Sequence, residues 1–146
     1  MNGKERALTA FSHKEADRVP IFELTIDNPT AEYVLGRPNL CGFGGKARGL
    51  AYNQAVLAGN VTDYFLRRKH DEMDLWEKLD LDVYPHCDPL PVNPATPDQI
   101  SERQWKITDK STGQWVIYDY SADSDVYDMV DSSIRRGGLP ELEKLT

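Results

Sequence analysis

The chain has 146 residues, 40% hydrophobic, 10% aromatic and 28% charged, a composition that suits one globular domain over 1–146 and argues against global disorder. Its 17 basic residues face 24 acidic ones, a net charge of -7, and this speaks against duplex binding, which gains affinity by neutralising phosphates with Lys and Arg. No apolar run approaches the roughly 18–20 residues of a membrane span, the opening Met1-Asn2-Gly3-Lys4-Glu5-Arg6 lacks the apolar stretch of a signal peptide, and the length excludes a complete (β/α)8 barrel of about 200–250 residues.

The residues from Asn2 to Ser12 read as a helix, with Leu8 and Phe11 spaced i, i+3 among good helix formers. After a polar link, Arg18 to Ile26 reads as a buried strand, β-branched and aromatic, with Pro20 near its start where a missing N–H does least harm. Asn28-Pro29-Thr30 can cap a short helix through Leu35, stopped by Gly36. Gly36 to Gly49 is loop-like, with five glycines. A helical period runs from Leu50 to Arg68, and a second helical stretch starts at Asp71. The basic run Arg67-Arg68-Lys69, followed at once by acids, reads as a solvated helix end.

Asp82-Val83-Tyr84 looks like the next short strand, and the Pro-rich stretch from Pro85 to Pro97 reads as irregular surface chain. The clearest local signal is a hairpin: 104–108 and 114–118 both alternate, and Asp109-Lys110-Ser111-Thr112-Gly113 supplies turn chemistry. Asp119 to Asp131 reads as a solvated acidic loop, and Leu139-Pro140 opens another helix. A strand, helices and a further strand suggest the opening of a parallel α/β layer.

Few motifs carry chemistry. Gly42 to Ala47 matches G-x-G-x-x-A, but Arg37-Pro38-Asn39-Leu40 is not the buried strand that a dinucleotide loop needs before it. Pro85-His86-Cys87-Asp88 gathers potential ligands without the spaced pairs of structural zinc. The acids from Asp119 to Asp131 fail the EF-hand spacing. Cys41 and Cys87 read as reduced thiols in a cytoplasm. Glu23 sits inside the apolar strand and Asp27 at its end. A carboxylate there is costly unless paired or used, so Glu23 is either ion-paired with a neighbouring strand or a substrate contact. Glu23, Asp27 and His86 are the substrate-binding candidates; no catalytic residue and no metal site is assigned.

At Asn2-Gly3-Lys4-Glu5-Arg6 through Asp17-Arg18-Val19-Pro20-Ile21 the chain resembles the start of the uroporphyrinogen decarboxylase superfamily: a helix with Lys-Glu-Arg, about a dozen residues, then Asp-Arg-Val-Pro and a first barrel strand. Leu75 to Asp82 and the Trp-bearing hairpin extend the likeness more loosely. The resemblance implies an α/β fold, the N-terminal part of a (β/α)8 TIM barrel with an inserted β-hairpin, with Asp17, Arg18 and Pro20 as structural signature. One branch of the family decarboxylates uroporphyrinogen; another transfers methyl groups using zinc and a corrinoid protein. The decarboxylase branch places substrate-holding arginines just after the first strand. Here that stretch reads Phe22-Glu23-Leu24-Thr25-Ile26-Asp27, whose acids would repel a polyanion.

The expectation is therefore a section of the methyltransferase branch acting on a small-molecule substrate, incomplete on its own. Zinc and a corrinoid partner would belong to the full-length protein and no cofactor to this chain. Two other readings stay open: a fragment of a true decarboxylase, and a non-catalytic binding module that covers its open strands by forming a homo-oligomer.

Overall fold

Asn2 opens the first helix of the computed structural model, which describes residues 1–43, 45–84 and 94–143. In α1 (Gly3–Phe11) the Asn2 side chain accepts from the Glu5 N–H at 2.9 Å, and the Glu5 carboxylate accepts from the Asn2 N–H at 3.0 Å. This reciprocal box satisfies two donors that a helix start leaves open. In α2 (Asn28–Leu35) Asp27 is the N-cap, and Gly36, at φ 69°, closes the helix in the left-handed conformation. The next helices are α3 (Lys46–Ala58) and α4 (Val61–Lys78), separated by Gly59 at φ 73°. The helical break thus falls at 59–60, not near residue 70. Arg67, Arg68 and Lys69 lie inside α4, and Arg68 is buried.

Residues 1–43 and 65–84 form one unit, and residues 45–64 and 94–143 another. The core of the first is Ala31, Leu35, Cys41, Leu75 and Trp76, flanked by Ile26, Val34, Leu81 and Tyr84. Ala31 and Leu35 share one face of α2, four residues apart. The Trp76 indole N–H donates to the Val83 carbonyl at 2.8 Å, and its ring meets Tyr84 edge-on at 5.4 Å. The loop after α2 is held by charge. Arg37 pairs with Asp71 and, at 2.7 Å, with Asp74, while Asp71 also accepts from the Leu40 N–H at 3.0 Å. At Gly42 a Cβ would lie 2.7 Å from the Asn28 backbone nitrogen, so this close approach requires glycine.

The second unit carries one antiparallel sheet in the order β1 (Thr96–Gln99), β2 (Gln104–Thr108), β3 (Trp115–Ser121), β4 (Val126–Ser132). Trp105 faces Tyr118, Tyr118 faces Met129 and Tyr120 faces Tyr127, so these residues line one face, while Gln104, Asp119 and Asp128 line the other. Helix α3 packs on the aromatic face. A Cβ at Gly49 would lie 3.0 Å from the Tyr127 ring, and the Lys46 ammonium lies 5.0 Å from the Tyr120 ring centre. In the turn 109–114 the Asp109 carboxylate accepts from the Ser111 and Thr112 N–H groups at 2.7 and 3.0 Å, and Gly113 takes φ 71°. The short helices α5 (Ser133–Gly137) and α6 (Leu139–Leu142) follow β4.

This arrangement overturns the expected N-terminal part of a (β/α)8 TIM barrel with an inserted β-hairpin. A barrel section needs parallel strands alternating with helices. Among the described residues the four strands are consecutive and antiparallel, and the hairpin 104–118 supplies two of them instead of interrupting a barrel. The segment 18–26 is not a buried strand. It makes a single parallel pairing, Phe22 with Val83, and leaves Val19 81%, Phe22 57% and Leu24 69% exposed. The acidic stretch 119–131 is the end of β3, a turn and most of β4. Among the described residues no helix is long and apolar enough to cross a membrane.

Candidate functional site

The densest cluster of charge in the first unit gathers on α1. Arg6 lies on the buried face of that helix, its side chain 9% exposed. Its Nε donates to Asp17 Oδ1 at 2.7 Å, and Nη2 donates to Asp17 Oδ2 at 3.1 Å and to the Met1 carbonyl at 2.8 Å. Nη1 reaches Asp82. The planar guanidinium thus grips one carboxylate with two donors and a second with another, a geometry that Lys cannot reproduce. Arg18 approaches from the other side, its Nη2 2.9 Å from the Asp80 carboxylate and 3.2 Å from Asp82 Oδ1.

Asp82 is the hub. Its side chain is 2% exposed, and besides the two arginines it accepts from the Ile21 N–H at 2.8 Å. In return the Asp82 N–H donates to the Ile21 carbonyl at 2.8 Å. A Cβ at Gly3 would lie 2.9 Å from the Asp82 carbonyl oxygen, so the first turn of α1 sits directly against this residue.

These contacts fix the charge states. The Ile21 N–H, then the Arg6 and Arg18 cations, hold the Asp82 carboxyl below its ordinary range against the opposing effect of burial. The Asp17 carboxyl is held well below that range by its bond to Arg6 first and by the N-terminal ammonium second. Asp17 and then Asp82 push the Arg6 guanidinium up. A group that transfers protons needs a pKa near the working pH, and these shifts move Arg6, Asp17 and Asp82 away from it. The cluster is suited to holding α1, the 17–21 segment and residues 80–82 together.

Among the residues singled out by sequence, Asp17 and Arg18 lie in this cluster and Pro20 lies half-buried beside it. Glu23 is exposed, with its carboxylate accepting from the Leu24 N–H at 3.0 Å. Asp27 caps α2 through the Thr30 N–H at 3.2 Å. Each of these two carboxylates thus has a backbone partner of its own. His86, Cys87 and Asp88 lie outside the described residues.

Sequence reading missed Arg6 and Asp82. The signal for Arg6 was its place in Lys-Glu-Arg; Asp82 had none beyond standing before two apolar residues. It also missed a buried polar group on α4, where the Tyr84 hydroxyl donates to Glu72 and Arg68 lies 3.4 Å from Glu72 one turn away.

Zinc, which the family resemblance implies for a complete protein, does not fit these residues. Cys41 is buried among Ala31, Leu35, Leu75 and Trp76, and among the described residues no group of three His, Cys, Asp or Glu is placed to hold a metal. The glycine loop leads into α3, whose Lys46 N–H donates to Asp125 at 3.3 Å. Set against models of known protein families, curated proteins and solved structures, the chain matches none of them.

Proposed function

We propose that the chain is a non-catalytic, structural section of a cytoplasmic protein related to uroporphyrinogen decarboxylase, on the side of the corrinoid- and zinc-dependent methyltransferases. The observation that supports this reading is the engagement of Asp17 and Arg18, the residues carrying the resemblance, in ion pairs with Arg6, Asp80 and Asp82. Side chains engaged in this way position segments of the chain: both Asp17 carboxylate oxygens accept from Arg6, and Arg18 Nη2 donates to Asp80 and Asp82. The acids Glu23 and Asp27, where the decarboxylases place arginines, weigh against a polycarboxylate substrate.

Any methyl transfer would depend on groups beyond these residues. The test is a three-part assay on the purified chain: zinc titration by calorimetry, methyl transfer from methylcobalamin to a thiol, and co-elution with a methylcobalamin-loaded corrinoid protein. Co-elution without turnover or stoichiometric zinc is the expected result. Turnover by the chain alone, or binding of a porphyrinogen tetracarboxylate in place of the corrinoid protein, would overturn the reading.

A further inference from the structure

Asn-Gly occurs once in the chain, at Asn2-Gly3. An asparagine before glycine is a chemically weak point, because no Cβ shields the backbone nitrogen that follows it. That nitrogen can attack the side-chain carbonyl carbon. The new N–Cγ bond closes a succinimide ring, the Cγ–Nδ2 bond breaks, and the amide leaves as ammonia together with the glycine N–H proton. Water then opens the ring at either carbonyl, which leaves aspartate or isoaspartate.

Packing explains why glycine stands at this position. A Cβ on residue 3 would lie 2.9 Å from the Asp82 carbonyl oxygen, so the contact between α1 and residue 82 excludes a larger side chain. The same glycine opens Asn2 to attack. Asn2 is exposed to water. Among the described residues the Gly3 N–H makes no hydrogen bond, as befits a donor in the first turn of a helix.

The folded geometry withholds the reaction. Ring closure needs the Gly3 nitrogen and the Asn2 Cβ nearly eclipsed about the Cα–C bond, whereas Asn2 holds an extended ψ of 169°. Three hydrogen bonds resist the rotation. The Asn2 carbonyl accepts from the Arg6 N–H at 3.0 Å, the Asn2 side chain accepts from the Glu5 N–H at 2.9 Å, and the Asn2 N–H donates to the Glu5 carboxylate at 3.0 Å.

We propose that Asn2 is a latent deamidation site, held shut by the capping box and opened when the first turn of α1 is released. Isoaspartate there would lengthen the main chain by a methylene next to Met1. The Met1 carbonyl accepts from Arg6 Nη2 at 2.8 Å, so this product would draw one acceptor off the guanidinium.

The test is peptide mapping by mass spectrometry, with enzymatic methyl labelling of isoaspartate, after incubation of the full chain in weakly alkaline buffer. The samples are the parent chain, folded and unfolded in urea, and the folded variants Glu5→Ala, Glu5→Gln and Asn2→Gln. The unfolded parent should modify Asn2 at least about tenfold faster than the folded parent, because the opening step is then removed. Glu5→Ala, which loses the reciprocal bond at an exposed position, should be about threefold faster than the folded parent. Glu5→Gln, which can rebuild the capping box, should match the parent, and Asn2→Gln should abolish the signal. The proposal is overturned if Asn2 stays intact in urea, or if folded and unfolded parent modify it at the same rate. It is equally overturned if Glu5→Ala is no faster than the parent, or if Glu5→Gln is as fast as Glu5→Ala, because the capping box is then not what holds the site shut.

Discussion

Arg6 and Asp82, 76 residues apart in sequence, meet in an ion pair whose side chains are 9% and 2% exposed. Desolvating two charges is offset only where further hydrogen bonds complete both partners, and here Asp17, the Met1 carbonyl, Arg18 and the Ile21 N–H complete them. Removing one partner leaves the other with a single opposite charge, Arg18 for Asp82 or Asp17 for Arg6, and with one of its hydrogen bonds unmade. Arg6→Gln and Asp82→Asn are each expected to lower the urea midpoint clearly. The double variant should lose less than the two losses added, because the groups act as one unit. Additive losses in this cycle would show that the pair is uncoupled.

Acid should release the same cluster. Asp17 and Asp82 both titrate below the ordinary 3.8 in the folded chain. The unfolded chain therefore takes up protons first as pH falls, and stability rises with pH wherever the unfolded state binds more protons. Their contribution is fully present above about pH 4, is lost progressively below it, and is gone once pH has passed the folded pKa values. Melting temperatures followed by circular dichroism from pH 7 to 2 should fall below about pH 4, and Asp17→Asn should make that fall shallower.

Burial separates two apolar residues that look alike in sequence. Leu75 is fully buried, whereas Phe22 is 57% exposed. Leu75→Ala should cost about 2–5 kcal/mol in chemical denaturation. Phe22→Ala should change stability by no more than about 0.5 kcal/mol. A large loss at Phe22 would mean that the 18–26 segment is buried after all.

The β2–β3 turn makes its own prediction. Hydrogen bonds from the Ser111 hydroxyl, then from the Thr112 and Ser111 N–H groups, lower the Asp109 carboxyl from the ordinary 3.8 to about 2. Carbonyl NMR titration should give that value, and Ser111→Ala should raise it. Because the folded pKa is the lower one, the turn loses this support as pH drops from 3.8 towards 2.

What could be read from the sequence was local. Leu8 with Phe11, Gly36, and the Asp109–Gly113 turn each act within a few residues, and their elements appear where the pattern places them. The break at Gly59 was hidden because apolar spacing continues through Val56, Leu57, Val61, Tyr64 and Phe65, while the left-handed turn at 59 resets the helix. β4 was hidden because its aspartates mask the alternation of Tyr127 and Met129 on one face with Asp128 on the other. The apolar run 18–26 has the composition of a buried strand, but burial depends on neighbours, and here it has one pairing. Arg6 and Asp82 were illegible as a pair because nothing local marks a contact across 76 positions.

The most direct test of the Arg6–Asp17–Arg18–Asp82 clamp is amide hydrogen exchange at Ile21 and Asp82, whose N–H groups bond to each other's residue at 2.8 Å. Both amides should exchange slowly in the parent chain and lose that protection in Arg6→Gln, while amides in the β2–β3 hairpin stay as they were. Fast exchange at Ile21 and Asp82 in the parent, or protection that survives Arg6→Gln unchanged, would contradict a structural role for these residues.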